Sequence, residues 1–128
     1  LGNAGFIKKA RRVRKVFGGG MRQAGYLAAA GIFALEHNIH RLQEDHLHAR
    51  QIAAALMKKD FIGTIYPVET NILIFEIKKD YTAAAFCERM QKDDILCLPI
   101  SSTQVRMVTH LDISSEMVQK LISVIESL

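Results

Sequence analysis

Three consecutive glycines, Gly18 to Gly20, separate two stretches of sequence that each favour a helix. Glycine adopts positive φ without steric cost, and its missing side chain lets a neighbouring group approach the main chain. The sequence therefore predicts a helix over residues 4–16, a hinge at the glycines, and a second helix over residues 21–36. We accordingly expect residues 1–37 to form a helical arm with a glycine-rich hinge and residues 38–128 to form a separate small domain.

Cations flank this hinge on both sides, with Lys15 before the glycines and Arg22 after them. The N–H groups that open the second helix lack partners within it and carry partial positive charge. Together with the two cations they predict a site for a phosphate or a carboxylate, and solvated cations are the alternative on spacing alone. A Walker-type phosphate loop is excluded, because the required Gly-Lys-Ser/Thr is replaced by Met21-Arg22-Gln23.

Residues 38–128 begin with an amphipathic helical pattern. Asn38 is a suitable N-cap for a helix of about twenty residues, and the apolar spacing turns Arg41, Glu44, Asp45 and Arg50 outward. We expect surface histidines and no zinc site, because no third ligand has a fitting spacing among the clustered residues His37, His40, His46 and His48.

Strand and helix signals then alternate to the end of the chain. Strands are predicted over residues 64–66, 71–78, 95–98 and 104–109, the second from the alternation of Ile72, Ile74 and Ile77. Asp80 and Ser114 are the predicted N-caps of two further helices. The predicted fold class is α/β (α+β): about four mostly antiparallel or mixed strands with helices on one face, preceded by the helical arm.

The composition, with 49% hydrophobic and 23% charged residues, is that of an ordinary globular domain. The net charge of +4 is concentrated in six cations between residues 8 and 15. We expect no nucleic-acid partner, because no aromatic side chains interleave with these cations. We also expect no membrane span, because the longest apolar run falls short of the roughly twenty residues required. Cys87 and Cys97 match no disulfide framework or metal spacing, so we expect buried free thiols in a reducing compartment.

The hinge segment from Arg14 to Gly25 resembles the Arg-Lys-x-x-Gly-Gly-Gly-Met-Arg-Gln-x-Gly motif of the low-specificity threonine aldolases. These are pyridoxal-phosphate enzymes of the aspartate aminotransferase fold type (fold type I). Further blocks follow in the family's order, so the resemblance covers essentially the whole chain: Arg41-Leu42-Gln43-Glu44-Asp45-His46, Glu69-Thr70-Asn71-Ile72-Leu73-Ile74-Phe75 and Val105-Arg106-Met107-Val108-Thr109-His110-Leu111-Asp112. The resemblance implies a parent enzyme that cleaves L-threonine or L-allo-threonine to glycine and acetaldehyde.

The resemblance also implies roles for particular residues. Arg106 would bind the substrate carboxylate, and its planar fork of donors suits that task, although a lone arginine within a strand more often faces solvent. Lys15 and Arg22 would reach the phosphate region of the cofactor, both of them across a subunit interface. The family's Ser-Lys-Gly-Leu motif, which carries the Schiff-base lysine, does not occur in the sequence. We therefore expect residues 1–37 to end the large domain, residues 38–128 to be the C-terminal small domain, and the chain alone to hold no catalytic residue and to be inactive.

The family further implies a homo-oligomer, a tetramer in the aldolases, that works in the cytoplasm, with the mitochondrion as the alternative location. Two other functions stay open. The parent could be another fold type I lyase or a hydroxymethyltransferase, for which the triple-glycine block is a poor match. The chain could instead be a non-catalytic interaction module that uses its basic helix to bind a polyanion.

Overall fold

The computed structural model describes residues 1–78 and 81–128. The chain divides into two compact units, Leu1–Ile39 and His40–Leu128. The first unit contains helices α1 (Ala4–Val16) and α2 (Gly25–His37). The second contains three helices and four strands: α3 (Leu42–Leu56), β1 (Ile62–Ile65), β2 (Ile72–Ile77), α4 (Ala83–Gln91), β3 (Leu98–Pro99), β4 (Gln104–Val108) and α5 (Ser115–Ser127).

In the first unit, α1 has the predicted bounds and α2 does not. The Asn3 side chain caps α1 by accepting a hydrogen bond from the Phe6 N–H at 2.9 Å. Helix α2 was expected from Met21 but begins at Gly25. Gly18, with φ of 77°, and Gln23, with φ of 49°, both lie in the left-handed region, which interrupts helical geometry between α1 and α2. Neither helix has a buried residue within this unit.

The start of α3 corrects another prediction. Asn38 is not its N-cap: its backbone is helical and its N–H donates to the Ala34 carbonyl, so it ends α2. Helix α3 begins at Leu42, has 15 residues and lacks a side-chain cap. Residues 38–41 continue local turns instead of adopting the extended geometry that a side-chain N-cap requires.

Two polar residues of α3 that were expected at the surface are buried. Asp45 is 2% exposed, and Arg41 donates to both of its carboxylate oxygens, at 3.0 and 2.8 Å. His48 is also 2% exposed, with its Nε2 3.2 Å from the Ser115 hydroxyl. A buried carboxylate is tolerated when a fork of charged donors satisfies it, which is the arrangement here.

The second unit contains an antiparallel sheet in the order β1-β2-β4-β3. The strand predicted over residues 95–98 is observed only at Leu98–Pro99, because Ile95 belongs to the turn after α4, where its N–H donates to the Met90 carbonyl. Helix α4 is capped by Thr82, whose hydroxyl accepts from the Ala85 N–H. Asp80, the predicted cap, lies outside the described residues. Ser114 caps α5 as predicted.

One face of the sheet carries the core. In β2 the buried residues are Leu73, Phe75 and Ile77. Ile72 and Ile74, which served to predict this strand, lie on its opposite face. Phe86 of α4 is fully buried against Phe75, with ring centroids 5.5 Å apart. The rest of the core comes from α3, β4 and α5, and includes Ile52, Leu56, Val105, Met107, Val118 and Ile125. This packing leaves the outer face of β2 and β4 free of helices of the second unit.

Candidate functional site

Arg106 projects from the outer face of the sheet. Burial alternates along β4, with Val105 and Met107 in the core and Arg106 exposed. Directly opposite residues in an antiparallel pair share a face, and the register places Ile74 and Leu98 on either side of Arg106. Among the described residues, no carboxylate lies within ion-pairing distance of its guanidinium. The guanidinium therefore has its full set of donors available.

The surroundings of Arg106 on this face are apolar. Four aliphatic residues border it: Ile72, Ile74, Leu98 and Val108. Ile74 is half-buried, and the other three are exposed, Leu98 the most at 53%. We call these residues together with Arg106 the outer-face patch. A charge in such a setting interacts strongly with an opposite charge once the patch is covered and water is displaced. The arrangement suits a small anion held between the sheet and a covering element.

A polar cluster closes one end of the outer-face patch. The Tyr66 hydroxyl donates to Glu76 Oε1 at 3.2 Å, and Gln104 Nε2 donates to the Tyr66 oxygen at 2.9 Å. Hydrogen bonds from Thr64 first, then from Gln104 and Tyr66, hold the pKa of Glu76 below its usual range. The hydrogen bond to Glu76 in turn raises the pKa of Tyr66. Glu76 is therefore an ionised acceptor whose hydrogen-bonding partners lie within the cluster.

The sequence did not indicate this cluster, because its members come from three separate strand and loop segments. Each of its residues has an ordinary solvent-exposed interpretation in the sequence. The sequence signal was that Glu76 interrupts an apolar strand and that Gln104 begins another; their pairing is seen only in the sheet register.

A second network fixes the end of β4 near Arg106. Asn71 and Thr109 bond reciprocally: Asn71 Nδ2 donates to the Thr109 carbonyl at 2.7 Å, and the Thr109 N–H donates to the Asn71 carbonyl at 3.0 Å. The Thr109 hydroxyl donates to the Asp45 carbonyl at 2.7 Å. These bonds join three of the sequence blocks that carry the resemblance, and they tie the end of β4 to α3. His110 contacts Asp112 within its own turn.

The predicted phosphate-binding residues both lie in the first unit. This unit contains one carboxylate, Glu36, against seven lysines and arginines: Lys8, Lys9, Arg11, Arg12, Arg14, Lys15 and Arg22. Within the described residues, neither Lys15 nor Arg22 forms an ion pair. The unit therefore has a large excess of positive charge that its own carboxylate cannot balance.

The glycines shape the backbone around Lys15. A Cβ on Gly20 would lie 2.8 Å from Lys15 Cδ and 3.2 Å from its Nζ, so the lysine side chain lies directly over this glycine. At Gly19 an added Cβ would lie 3.2 Å from the Arg14 carbonyl oxygen. Arg22 is exposed in the turn before α2, and α2 has no side-chain cap at its N-terminus. The structure places Lys15 and Arg22 in the same unit.

Other features of the second unit are separate from Arg106. A cavity of about 440 Å³ lies between α5 and the end of β4, with an apolar lining that includes Ile52, Met107, Ile113 and Leu121. Arg106 does not line it.

Within residues 1–78 and 81–128, no cluster of three His, Cys, Asp or Glu side chains could hold a metal. No helix in the same ranges is long and apolar enough to span a bilayer.

Comparison with known proteins gives concordant findings. A family model described as beta-eliminating lyase matches residues 1–80. The chain is 45% identical over 116 residues to the low specificity L-threonine aldolase of Escherichia coli K12, covering 91% of this chain and 33% of that protein. It is 36% identical over 131 residues to a probable low-specificity L-threonine aldolase 2 of Arabidopsis thaliana, covering 100% of this chain and 37% of that protein. The chain thus spans about a third of the length of the curated relatives it matches.

The fold also has a match among solved structures. Acetylornithine aminotransferase from Elizabethkingia anophelis aligns with a TM-score of 0.62 at 21% identity, over 79% of this chain and 27% of the aminotransferase. At that identity the likeness bears on the fold alone. It confirms the expected fold class, a four-stranded antiparallel sheet with helices on one face, as found in this fold type.

Proposed function

Since the chain belongs to the β-eliminating lyase family, we propose that it is the C-terminal portion of a pyridoxal-phosphate-dependent threonine aldolase. The substrate would be L-threonine or L-allo-threonine, cleaved to glycine and acetaldehyde. The similarity to threonine aldolases over more than nine tenths of the chain supports this choice within the family. Because those relatives are about three times as long, the activity belongs to the longer parent protein.

The observation that carries this proposal is the exposed guanidinium of Arg106 on an apolar sheet face, with no carboxylate partner in the part of the chain that the structure describes. An amino-acid substrate presents a carboxylate, and a guanidinium binds a carboxylate through two parallel N–H···O bonds. Glu76, the carboxylate at the end of the outer-face patch, is held by its own donors and does not neutralise Arg106. Arg106 would therefore fix the substrate carboxylate, and the end of β4 would fix the orientation of the rest of the substrate.

Lys15 and Arg22 would bind the phosphate of the cofactor. The residues present fit that group, because the first unit has seven cations, a single carboxylate and a glycine hinge that permits close approach to its backbone. A dianionic phosphate is the kind of ligand that balances such a charge excess. When bound, pyridoxal phosphate supplies the electron sink for breaking the bond between the α and β carbons.

This chain would supply binding and orientation in the reaction. Arg106 would hold one end of the substrate, and Lys15 and Arg22 would hold the cofactor phosphate. Orientation lowers the barrier only when the reacting group is present, so the 128-residue chain alone is expected to have no turnover.

We also propose that the parent is a homo-oligomer. Helix α2 is apolar on all sides, and within its unit Tyr26, Leu27 and Leu35 are 82%, 64% and 67% exposed. A surface of this kind normally marks an interface. Light scattering on the parent protein should give a mass of two or more subunits, and a monodisperse monomer at high concentration would contradict the assignment.

The reaction can be tested with the full-length parent protein, supplied with pyridoxal phosphate and one amino acid at a time. L-Threonine and L-allo-threonine should each yield glycine and acetaldehyde in equal amounts, with acetaldehyde followed by a coupled alcohol dehydrogenase. Release of pyruvate and ammonia from serine or tyrosine without acetaldehyde from threonine would assign a different lyase. Absence of any product from a protein that binds the cofactor would contradict the proposal.

A further inference from the structure

Two cysteines of the second unit lie against each other. The Cys97 thiol donates a hydrogen bond to Cys87 Sγ, with the two sulfur atoms 3.3 Å apart. Both are free thiols, as the sequence predicted. The sequence also predicted that they would be buried, but both are only half-buried. A disulfide bond is close to 2.05 Å long, so the two sulfur atoms would need to approach by only about 1 Å more.

The pair is held in place by the connection between α4 and β3. Cys87 lies in α4, and Cys97 immediately precedes β3. Between them, the Ile95 N–H donates to the Met90 carbonyl at 3.1 Å, and Asp94 adopts φ of 60° to make the turn. This turn returns the chain onto the helix, which brings the two thiols together although they are ten residues apart in sequence.

The surroundings of the pair favour oxidation over metal binding. A zinc ion in a structural site requires four ligands of the Cys, His or carboxylate type. Among the described residues, no third candidate ligand joins the two sulfur atoms. Two thiols this close, with no third candidate ligand in the described part of the chain, are placed to form a disulfide with each other.

We propose that Cys87 and Cys97 form a reversible disulfide within one chain when the protein meets a peroxide or a small-molecule disulfide. With hydrogen peroxide, the Cys87 thiolate attacks one oxygen, giving a sulfenic acid and releasing the other oxygen as water after protonation. The Cys97 thiol then attacks the Cys87 sulfur, an S–S bond forms, and the sulfenic oxygen leaves as a second water. The pair is oxidised by two electrons and the peroxide is reduced by two.

The order of these steps follows from the environment of Cys97. Burial, followed by its hydrogen bond to Cys87, raises the pKa of the Cys97 thiol. The raised pKa disfavours the Cys97 thiolate, so we assign Cys97 the role of the resolving thiol and Cys87 that of the thiol oxidised first. A dithiol reductant reverses the reaction by attack on the same bond.

The disulfide would fasten β3 to α4. Leu98, next to Cys97, pairs with Arg106 in the sheet, so the strand that borders the outer-face patch would gain a covalent anchor. The inference itself does not depend on the proposed function, because it rests on the two sulfur atoms and the turn between them.

Peptide mapping tests the proposal directly. The purified protein is treated with hydrogen peroxide or oxidised glutathione under native conditions, alkylated with iodoacetamide after denaturation, and digested with trypsin. Cleavage after Arg89 and Lys92 places Cys87 and Cys97 in different peptides, residues 80–89 and 93–106. We expect these peptides to be joined, with a mass about 2 Da below their sum, and to separate after dithiothreitol.

The single variants Cys87→Ser and Cys97→Ser provide matched controls. Each should abolish the joined peptide and leave one cysteine, which would be recovered alkylated or as a mixed disulfide. If the wild-type protein instead yields both cysteines alkylated after treatment, or joined only to cysteines of another chain, the proposal is wrong. The wild-type result decides the matter even if a variant fails to fold.

Discussion

Replacing Phe86 with alanine tests whether the second unit is held together by the core described above. The side chain is fully buried, and its ring lies 5.5 Å from that of Phe75, 6.4 Å from Phe61 and 6.3 Å from Tyr81. Removing a fully buried phenylalanine costs about 3 to 5 kcal/mol, because transfer energy is lost and a cavity is left. Since small domains have a free energy of unfolding of only about 5 to 15 kcal/mol, this loss is a large share of the total.

Urea unfolding followed by far-UV circular dichroism measures this loss. The free energy of unfolding of Phe86→Ala should fall by about 3 to 5 kcal/mol relative to the wild type. Phe17→Ala is the matched control, because it removes the same atoms from a side chain that is 85% exposed, and it should change the free energy by less than about 0.5 kcal/mol. Equal and small effects of both substitutions would refute the packing of α4 on the sheet.

Three further outcomes are expected. Thr109→Val removes the hydroxyl that donates to the Asp45 carbonyl in α3, and should lower the free energy of unfolding by about 1 to 2 kcal/mol in a urea titration. The control Thr103→Val, at an exposed site, should leave the free energy of unfolding unchanged. Glu76 has a lowered pKa, chiefly through the Thr64 hydroxyl, so its stabilisation is present above the unfolded pKa and is lost as pH falls through the folded pKa. The difference in melting temperature between wild type and Glu76→Gln should therefore shrink between pH 7 and acid conditions; a constant difference would contradict this. Gly18→Ala places a side chain at φ of 77° and should destabilise the turn after α1 by about 1 kcal/mol, measured as lost helical ellipticity on mild heating.

Local sequence signals predicted the elements well where the decisive contacts are local. Asn3 lies at the start of the predicted first helix, and Ser114 was correctly chosen as the cap of α5, since a capping bond spans only three residues. The antiparallel strands were also anticipated, apart from their bounds. The prediction that Asn38 begins α3 was wrong because asparagine also ends helices. Which role it takes depends on how far α2 extends, and α2 extends to His37, the residue before it.

Contacts between distant residues account for the remaining errors. Both Ile74 and Phe75 in β2 are apolar, and only Glu76 marks the face of Ile74 as the outer one; the packing of Phe75 against Phe86 in α4 identifies the core face. Asp45 was expected outside because the apolar spacing of its helix turned it away from the predicted core face. Its burial depends on Arg41 and on Thr109, which is 64 residues away. The pairing of Cys87 with Cys97 likewise depends on a turn geometry that the sequence does not reveal.

The candidate site was predictable only in part. Arg106 could be assigned to a strand from its apolar neighbours, and the structure adds that it lies on the face opposite the core without a partner among the described carboxylates. Its role, and those of Lys15 and Arg22, came from the resemblance and stay proposals. The Tyr66, Glu76 and Gln104 cluster could not be found in advance, since it exists only through the strand register.

Arg106 is proposed to bind the substrate carboxylate, and the decisive measurement is kcat/KM of the full-length parent for L-threonine. Arg106→Lys keeps the charge but loses the fork, which removes about one charge-assisted hydrogen bond worth roughly 1.5 to 3 kcal/mol. We expect kcat/KM to fall about 10- to 100-fold, mainly through a higher KM. The matched variant Arg50→Lys, at an exposed position of α3, should be unchanged. An Arg106→Lys enzyme with the kcat/KM of the wild type would contradict the account.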